Sequence, residues 1–405
     1  MAKKNADRYI FVKKGSSYLG VDTIGAQIVS WVVDGLEVMY QGALDSQPGS
    51  RKVEPAWKAT AKNLFPNPGP MGTENDRFGE PILDENGKWA GKYKLPKDGK
   101  NVTYVHNGGL YTMGQHGFAQ TEEYKVLSKV EFDERTGRYT AAGSNVVMTI
   151  TDELNDTLDK YPYKFAHSLV YELGTPLSLK YEAHAQNNDN KPMVAGQGWH
   201  PAFKLHGKPS NYRIVITNLV KKPKANCELT EGQMIDIDSE VISGGKTLHF
   251  GGIKSVDVTL LYKKPSGEII EYLTMHTAEP ELILWSKAAT EAGQENFICI
   301  EPWNTPSRMV SQLTTQDKTA KLAKKGAVVV SPAMSAAEKQ DIIDYVEQER
   351  KLSPIEKQCL LEHLQVEDSV LRASVTVCPE YVRYFAPVKE GYKTLDREDF
   401  GEFDR

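Results

Sequence analysis

From its start to about residue 330 the chain alternates short apolar runs with clusters of Gly, Pro, Asn and Asp, which predicts many short strands rather than helices. Tyr9 to Val12, Ala26 to Val33 and Asn145 to Ile150 are such runs. From Leu177 to Ala185 the odd positions are apolar and the even ones polar, so one face of this strand is expected to meet a core and the other water or a ligand. That is the pattern of an antiparallel sandwich. Between Asn63 and Gly79 stand Pro66, Pro68, Gly69, Pro70 and Gly72, which exclude a helix or a central strand and predict a long loop. Long loops on a β scaffold often carry the functional site.

Beyond Val330 the pattern changes. Ser335 and Glu338 have capping-box spacing ahead of Ile342, Ile343 and Val346. Ser353 and Glu356 repeat it ahead of Cys359, Leu360 and Leu364, with Pro354 at the first helical position. Two helices are predicted, then a strand over Ala373 to Val377, an aromatic stretch around Tyr381, Tyr384 and Phe385, and an acidic end. The expected organisation is a β-sandwich domain over 1–334 and a helical C-terminal extension over 335–405. The extension is expected to pack on the sandwich or against a second copy of the chain, giving a homodimer.

Composition narrows the function. With 40% hydrophobic and 25% charged residues in 405, the chain is of ordinary globular type, neither disordered nor collagenous. Forty-nine basic and 54 acidic residues give a net charge of -5 with scattered lysines, which argues against nucleic acid as a partner. No apolar stretch approaches the roughly 20 residues that span a bilayer, and no apolar run follows the charged first eight residues, so neither a membrane anchor nor a secretory signal is expected. Cys227, Cys299, Cys359 and Cys378 lie far apart, which disfavours a disulfide framework or a zinc ribbon and points to a reducing, cytoplasmic setting. The glycosylation-like triplets at Asn101 and Asn155 are then chance matches.

Gly244-Gly245-Lys246-Thr247 mimics the end of a phosphate-binding loop, but Glu240 stands where that loop needs its first glycine, so a hairpin turn is expected. Metalloprotease and serine-hydrolase signatures are absent. Three segments place a titratable residue among Gly, Pro and aromatic residues, the mixture of a rigid, partly apolar pocket for a polar ligand. They are Gln115-His116-Gly117-Phe118-Ala119, Gly198-Trp199-His200-Pro201-Ala202-Phe203 and Ile298-Cys299-Ile300-Glu301-Pro302-Trp303. In the third, proline stops the ladder just after Glu301. Singly, each His also reads as a core residue and Glu301 as a solvated strand end.

In this order, together with Gly25-Ala26-Gln27-Ile28 and Asn63-Leu64-Phe65-Pro66, the segments resemble the aldose 1-epimerase (galactose mutarotase-like) family over roughly Tyr18 to Val330. The resemblance implies a mainly β fold, a large antiparallel supersandwich with its site in a cleft on one concave sheet. It implies cofactor-free interconversion of the α and β anomers of an aldose, a small-molecule sugar substrate, by ring opening and reclosure. By the same resemblance Glu301 is the general base at the anomeric hydroxyl and His200 the general acid at the ring oxygen. His116 then hydrogen-bonds the sugar, and Asp257 grips its hydroxyls, although Asp257 also reads as an ordinary polar residue on an edge strand. At ordinary pKa values Glu301 is ionised at neutral pH, and a nearby carboxylate holds His200 protonated. Trp199, Trp285 and Trp303 offer flat faces to a sugar ring, or else fill the core. Family members commonly carry an arginine soon after the Phe-Pro of the first loop; here none occurs before Arg77, so either Arg77 substitutes for it or the sugar is held differently. A sugar phosphate would want a basic cluster, which the sequence does not display. Binding without turnover, and glycan cleavage, which needs a second carboxylate, are the competing readings.

Overall fold

The computed structural model describes residues 8–41, 61–69, 81–83, 89–93, 101–106, 109–133, 138–217, 224–225, 234–236, 247–253, 255–286, 296–306, 328–330 and 368–386. Arg77 and both helices predicted after Ser335 lie outside them. The described chain is dominated by antiparallel sheets, the large sandwich that the alternating pattern predicts.

One sheet has nine strands, in the order Lys125–Val126, Asn145–Thr151, Phe165–Thr175, Ser178–Asn187, Asp368–Val377, Ile269–Thr277, Val256–Lys263, Tyr212–Thr217 and Met234–Asp236. Its strands bury alternate residues. Phe165, His167, Leu169, Tyr171 and Leu173 point inward from one, and Leu179, Tyr181, Ala183 and Ala185 from the next, as the odd-position pattern requires. The strand expected at Ala373 to Val377 is the end of Asp368–Val377, which pairs with Ser178–Asn187 on one side and Ile269–Thr277 on the other. A boundary at residue 334 thus separates this strand from the sheet it completes. The aromatic stretch after it forms the short helix Pro379–Phe385, whose Tyr381 is fully buried and stacks on Tyr272 at 4.0 Å.

A second sheet runs in the order Lys224–Ala225, Thr247–Gly251, Glu281–Trp285, Phe297–Trp303, Gly198–Lys204, Ala61–Leu64. Its central strands do not alternate: all seven residues of Phe297–Trp303 are buried, and six of the seven in Gly198–Lys204. Both faces are covered. Leu282, Leu284, Ile298 and Ile300 enter the main core, while Leu64, Ile283 and Trp303 form a separate cluster on the other face. A third sheet, of six strands, is built mainly from the N-terminal residues and includes Tyr9–Lys14, Ser17–Asp22 and Gln27–Val33.

Asn63 fastens the site sheet to the rest. Its amide nitrogen lies 2.8 Å from the carbonyls of Gly25 and Ala26, and its amide oxygen accepts from the Tyr181 hydroxyl at 3.0 Å, all fully buried. Asn63→Ala leaves these groups unsatisfied, so an unfolding free energy lower by about 2–3 kcal/mol or more is expected from urea denaturation. His167 stacks on Phe65 at 4.4 Å, and its Nδ1 lies 2.9 Å from the Tyr124 hydroxyl. Burial pushes its pKa down to about 3. Because the unfolded chain protonates near 6.5 and the folded one resists, stability present above 6.5 falls as pH drops below that value, by about 2 kcal/mol at pH 5. Urea midpoints at pH 7.5 and 5 should therefore differ less in His167→Phe than in the wild type.

Candidate active site

The site grows out of strand register. Gly198 pairs with Trp303 and Ala202 with Cys299, so His200 stands opposite Glu301 midway between them. Pro201 and Pro302 interrupt the ladder there, since proline has no N–H to give. His200 also pairs with Lys62 on its other side, Glu301 with Ile283, and Ile283 with His249. With side chains alternating along each strand, Lys62, His200, Glu301, Ile283 and His249 form one row across one face. Trp199 points the opposite way, into the core, stacked on Tyr181 at 4.6 Å.

This face is the floor of a cavity of about 910 Å³, lined by Lys62, His116, His200, Trp285, Glu301 and Trp303 among others. Nε2 of His200 lies 3.2 Å from a carboxylate oxygen of Glu301. Their residual exposures of 5% and 2% place both deep in the floor, yet they remain at a cavity wall rather than in a closed core. The His116 ring meets those of His200 and Trp303 edge-on, with centroids 5.5 and 6.3 Å apart, and Trp285 does the same to His200 at 5.8 Å.

His116 is set by the first loop. Its backbone N–H donates to the Gly69 carbonyl at 2.8 Å, and the Gly69 N–H donates to its Nδ1 at 3.0 Å, which leaves the ring proton on Nε2. The next residue, Gly117, has φ +76° and bridges Phe65 so closely that a Cβ would stand 2.0 Å from the Phe65 carbonyl oxygen. The described part of the Pro- and Gly-rich loop therefore does hold a site histidine.

Of the residues expected at the site, Glu301, His200 and His116 come together. Asp257 does not. It lies on the nine-stranded sheet between Val256 and Val258, which face the core, so it points to the outer face and bonds Nδ1 of His276 at 2.7 Å. Two polar features were missed: Lys62, in the row itself, and the hydrogen-bonded pair His249 and Glu281, beside Trp303 on the same face. The cue for Lys62 was in the sequence, a cation in the short strand just before Phe65-Pro66.

The resting protonation also differs from the expectation drawn from ordinary pKa values. Burial pushes Glu301 well above the carboxylate range, opposed in part by the Trp303 indole and the Lys62 ammonium. Burial, with His116 and Lys62 adding to it, pushes His200 well below the imidazole range. His116 falls to about 3, mainly by burial. Both histidines are thus held neutral. Nε2 of His200 or its ring partner, Sγ of Cys299 and an oxygen of Glu301 lie within 4.8 Å of one another, close enough to share a cation. The Lys62 charge acts on the same Cys299 and Glu301, however, and a fixed positive charge there does not fit a divalent ion.

A family model described as aldose 1-epimerase matches residues 86–323, more than half of the chain. No curated protein matches it. Among solved structures, a galactose mutarotase-like protein from Lactobacillus casei is 17% identical with a TM-score of 0.58, covering 91% of this chain and 100% of that one. A galactose mutarotase related enzyme from Lactobacillus acidophilus is 16% identical with a TM-score of 0.57, covering 91% and 97%. A galactose mutarotase-like protein from Clostridium acetobutylicum is 13% identical with a TM-score of 0.53, covering 91% and 94%. At such identities the likeness is one of fold.

Gly117→Ala tests the seat of His116. Backbone strain at positive φ alone costs about 1–3 kcal/mol, and the Phe65 contact adds to it, so a lower urea midpoint is expected, together with weaker ligand binding by calorimetry.

Proposed function

The chain belongs to the aldose 1-epimerase family, and on that footing we propose that it interconverts the α and β anomers of an aldose, with Glu301 and His200 moving the protons. The observation that carries this reading is the approach of His200 Nε2 to Glu301 at 3.2 Å on the floor of an open cavity. In the forward step Glu301, as carboxylate, takes the proton of the anomeric hydroxyl while His200, as imidazolium, gives one to the ring oxygen. The bond from C1 to the ring oxygen breaks, leaving a carbonyl at C1 and a free hydroxyl. Rotation about C1–C2 presents the other carbonyl face, and reclosure returns both protons.

The ring-closed state pairs a carboxylate with an imidazolium; the ring-open state pairs a carboxylic acid with a neutral imidazole. Both hold the same number of protons and no net charge. Burial favours the neutral pair, so the environment supports the open-chain stage and makes ionised Glu301 a stronger base and protonated His200 a stronger acid. Trp285 and Trp303 offer apolar surface to the ring, and His116, whose Nε2 meets the Gln115 side-chain amide at 3.1 Å, lines the same cavity.

Polarimetry on freshly dissolved glucose and galactose, with NMR exchange over other aldoses and their phosphates, tests the proposal. Glu301→Gln and His200→Asn should each lower kcat by about 10²–10⁴-fold. A wild type no faster than buffer on every aldose would sink it. Calorimetric binding without exchange would then indicate a sugar-binding protein, and release of reducing ends from oligosaccharides a glycan-cleaving one.

A further inference from the structure

Lys62 belongs to the strand Ala61–Leu64, whose other residues are buried against the core or the cleft floor. Its neighbour Asn63 is anchored on the opposite side of the strand, so Lys62 is fixed toward the cleft and directly beside His200. We propose that Lys62 is a positioning residue of the exchange reaction, a positive charge on the floor of the cleft that opposes the protonation of Glu301. This inference rests on the reading of Glu301 as the base.

The charges around the pair leave Lys62 that role. From the strand that pairs with its own, His200 faces it; from the wall above, His116 does; both are neutral. From the strand of Glu301, Cys299 faces it with a thiol that burial pushes up, so that it stays protonated. The strand Glu281–Trp285 presents Ile283, Trp285 and, beside Trp303, Glu281, which is hydrogen-bonded to His249 of the next strand. Farther along the same cavity lie Asp159 and Lys160, and Lys160 is tied to Glu122 at 2.8 Å. Burial disfavours the Lys62 ammonium, and an ionised Glu301 favours it. An ammonium and a carboxylate that must both sit in a poorly hydrated floor stabilise one another. The same charge disfavours an imidazolium at His200, so a proton that reaches Nε2 passes more readily to the ring oxygen.

The test follows the ionisation of Glu301 directly. Protein labelled with ¹³C at the glutamate δ-carbon, with the Glu301 resonance assigned by its absence from Glu301→Gln, is titrated for the wild type, Lys62→Met and Lys62→Arg. The Glu301 midpoint is expected to rise by about one pH unit or more in Lys62→Met and to stay near the wild-type value in Lys62→Arg. With Glu301 raised and His200 lowered, the alkaline limb of kcat/KM reports loss of the Glu301 proton, so that limb should move up by the same amount in Lys62→Met. An unchanged midpoint, or an unmoved alkaline limb, in folded Lys62→Met overturns the assignment. If Lys62→Met fails to fold, Lys62→Gln takes its place under the same criteria. A shifted midpoint in a protein that exchanges no anomers, wild type included, would uphold Lys62 as the charge that lowers the Glu301 midpoint and remove the proposed reaction instead.

Discussion

The register between Gly198–Lys204 and Phe297–Trp303 is the constraint on which the site depends. Side chains alternate along a strand, so a slip of one residue would turn His200 and Glu301 into the core and bring Trp199 and Ile300 to the cleft. Several contacts resist that slip. Trp199 stacks on Tyr181, Ile298 and Ile300 lie in the main core, and Gly198 approaches Trp303 so closely that a Cβ there would meet the indole at 2.7 Å. The packing of one face therefore fixes the chemistry of the other.

That arrangement also sets the electrostatics. His200 and Glu301 lie deep in the floor of the cavity with little of their surface exposed, and the dominant force on both is loss of hydration. The 3.2 Å approach of the two groups couples their ionisation, so the charge of each depends on that of the other. Lys62 enters the balance from the neighbouring strand. Three adjacent strands thus each supply one ionisable group to the row, and none of the three groups has a protonation state independent of the others.

Much of the architecture was legible in the sequence because strand alternation is a local signal. The odd-position pattern from Leu177 to Ala185 becomes the buried face of Ser178–Asn187. The segments around His116, His200 and Glu301 were legible through their Gly, Pro and aromatic neighbours, which mark places where a ladder stops or a backbone approaches closely. Asp257 was misplaced because its sequence neighbourhood says nothing of sheet membership. Its flanking valines do carry the correct signal, since two inward residues must turn the one between them outward. Lys62, just before Phe65-Pro66, was passed over in favour of a distant arginine. The resting protonation was not legible at all, because it depends on desolvation by residues from strands scattered across the chain.

The position of Asp368–Val377 has a consequence for how the molecule comes into being. Ser178–Asn187 and Ile269–Thr277 are synthesised well before the strand that lies between them. Until that segment leaves the ribosome, each presents an unsatisfied edge, and the nine-stranded layer exists only as two incomplete halves. Assembly of the layer that backs the cleft must therefore wait for residues almost two hundred positions downstream of the first half. A nascent chain with such open borders is the stage at which holding factors, or misdirected pairing with another chain, would act.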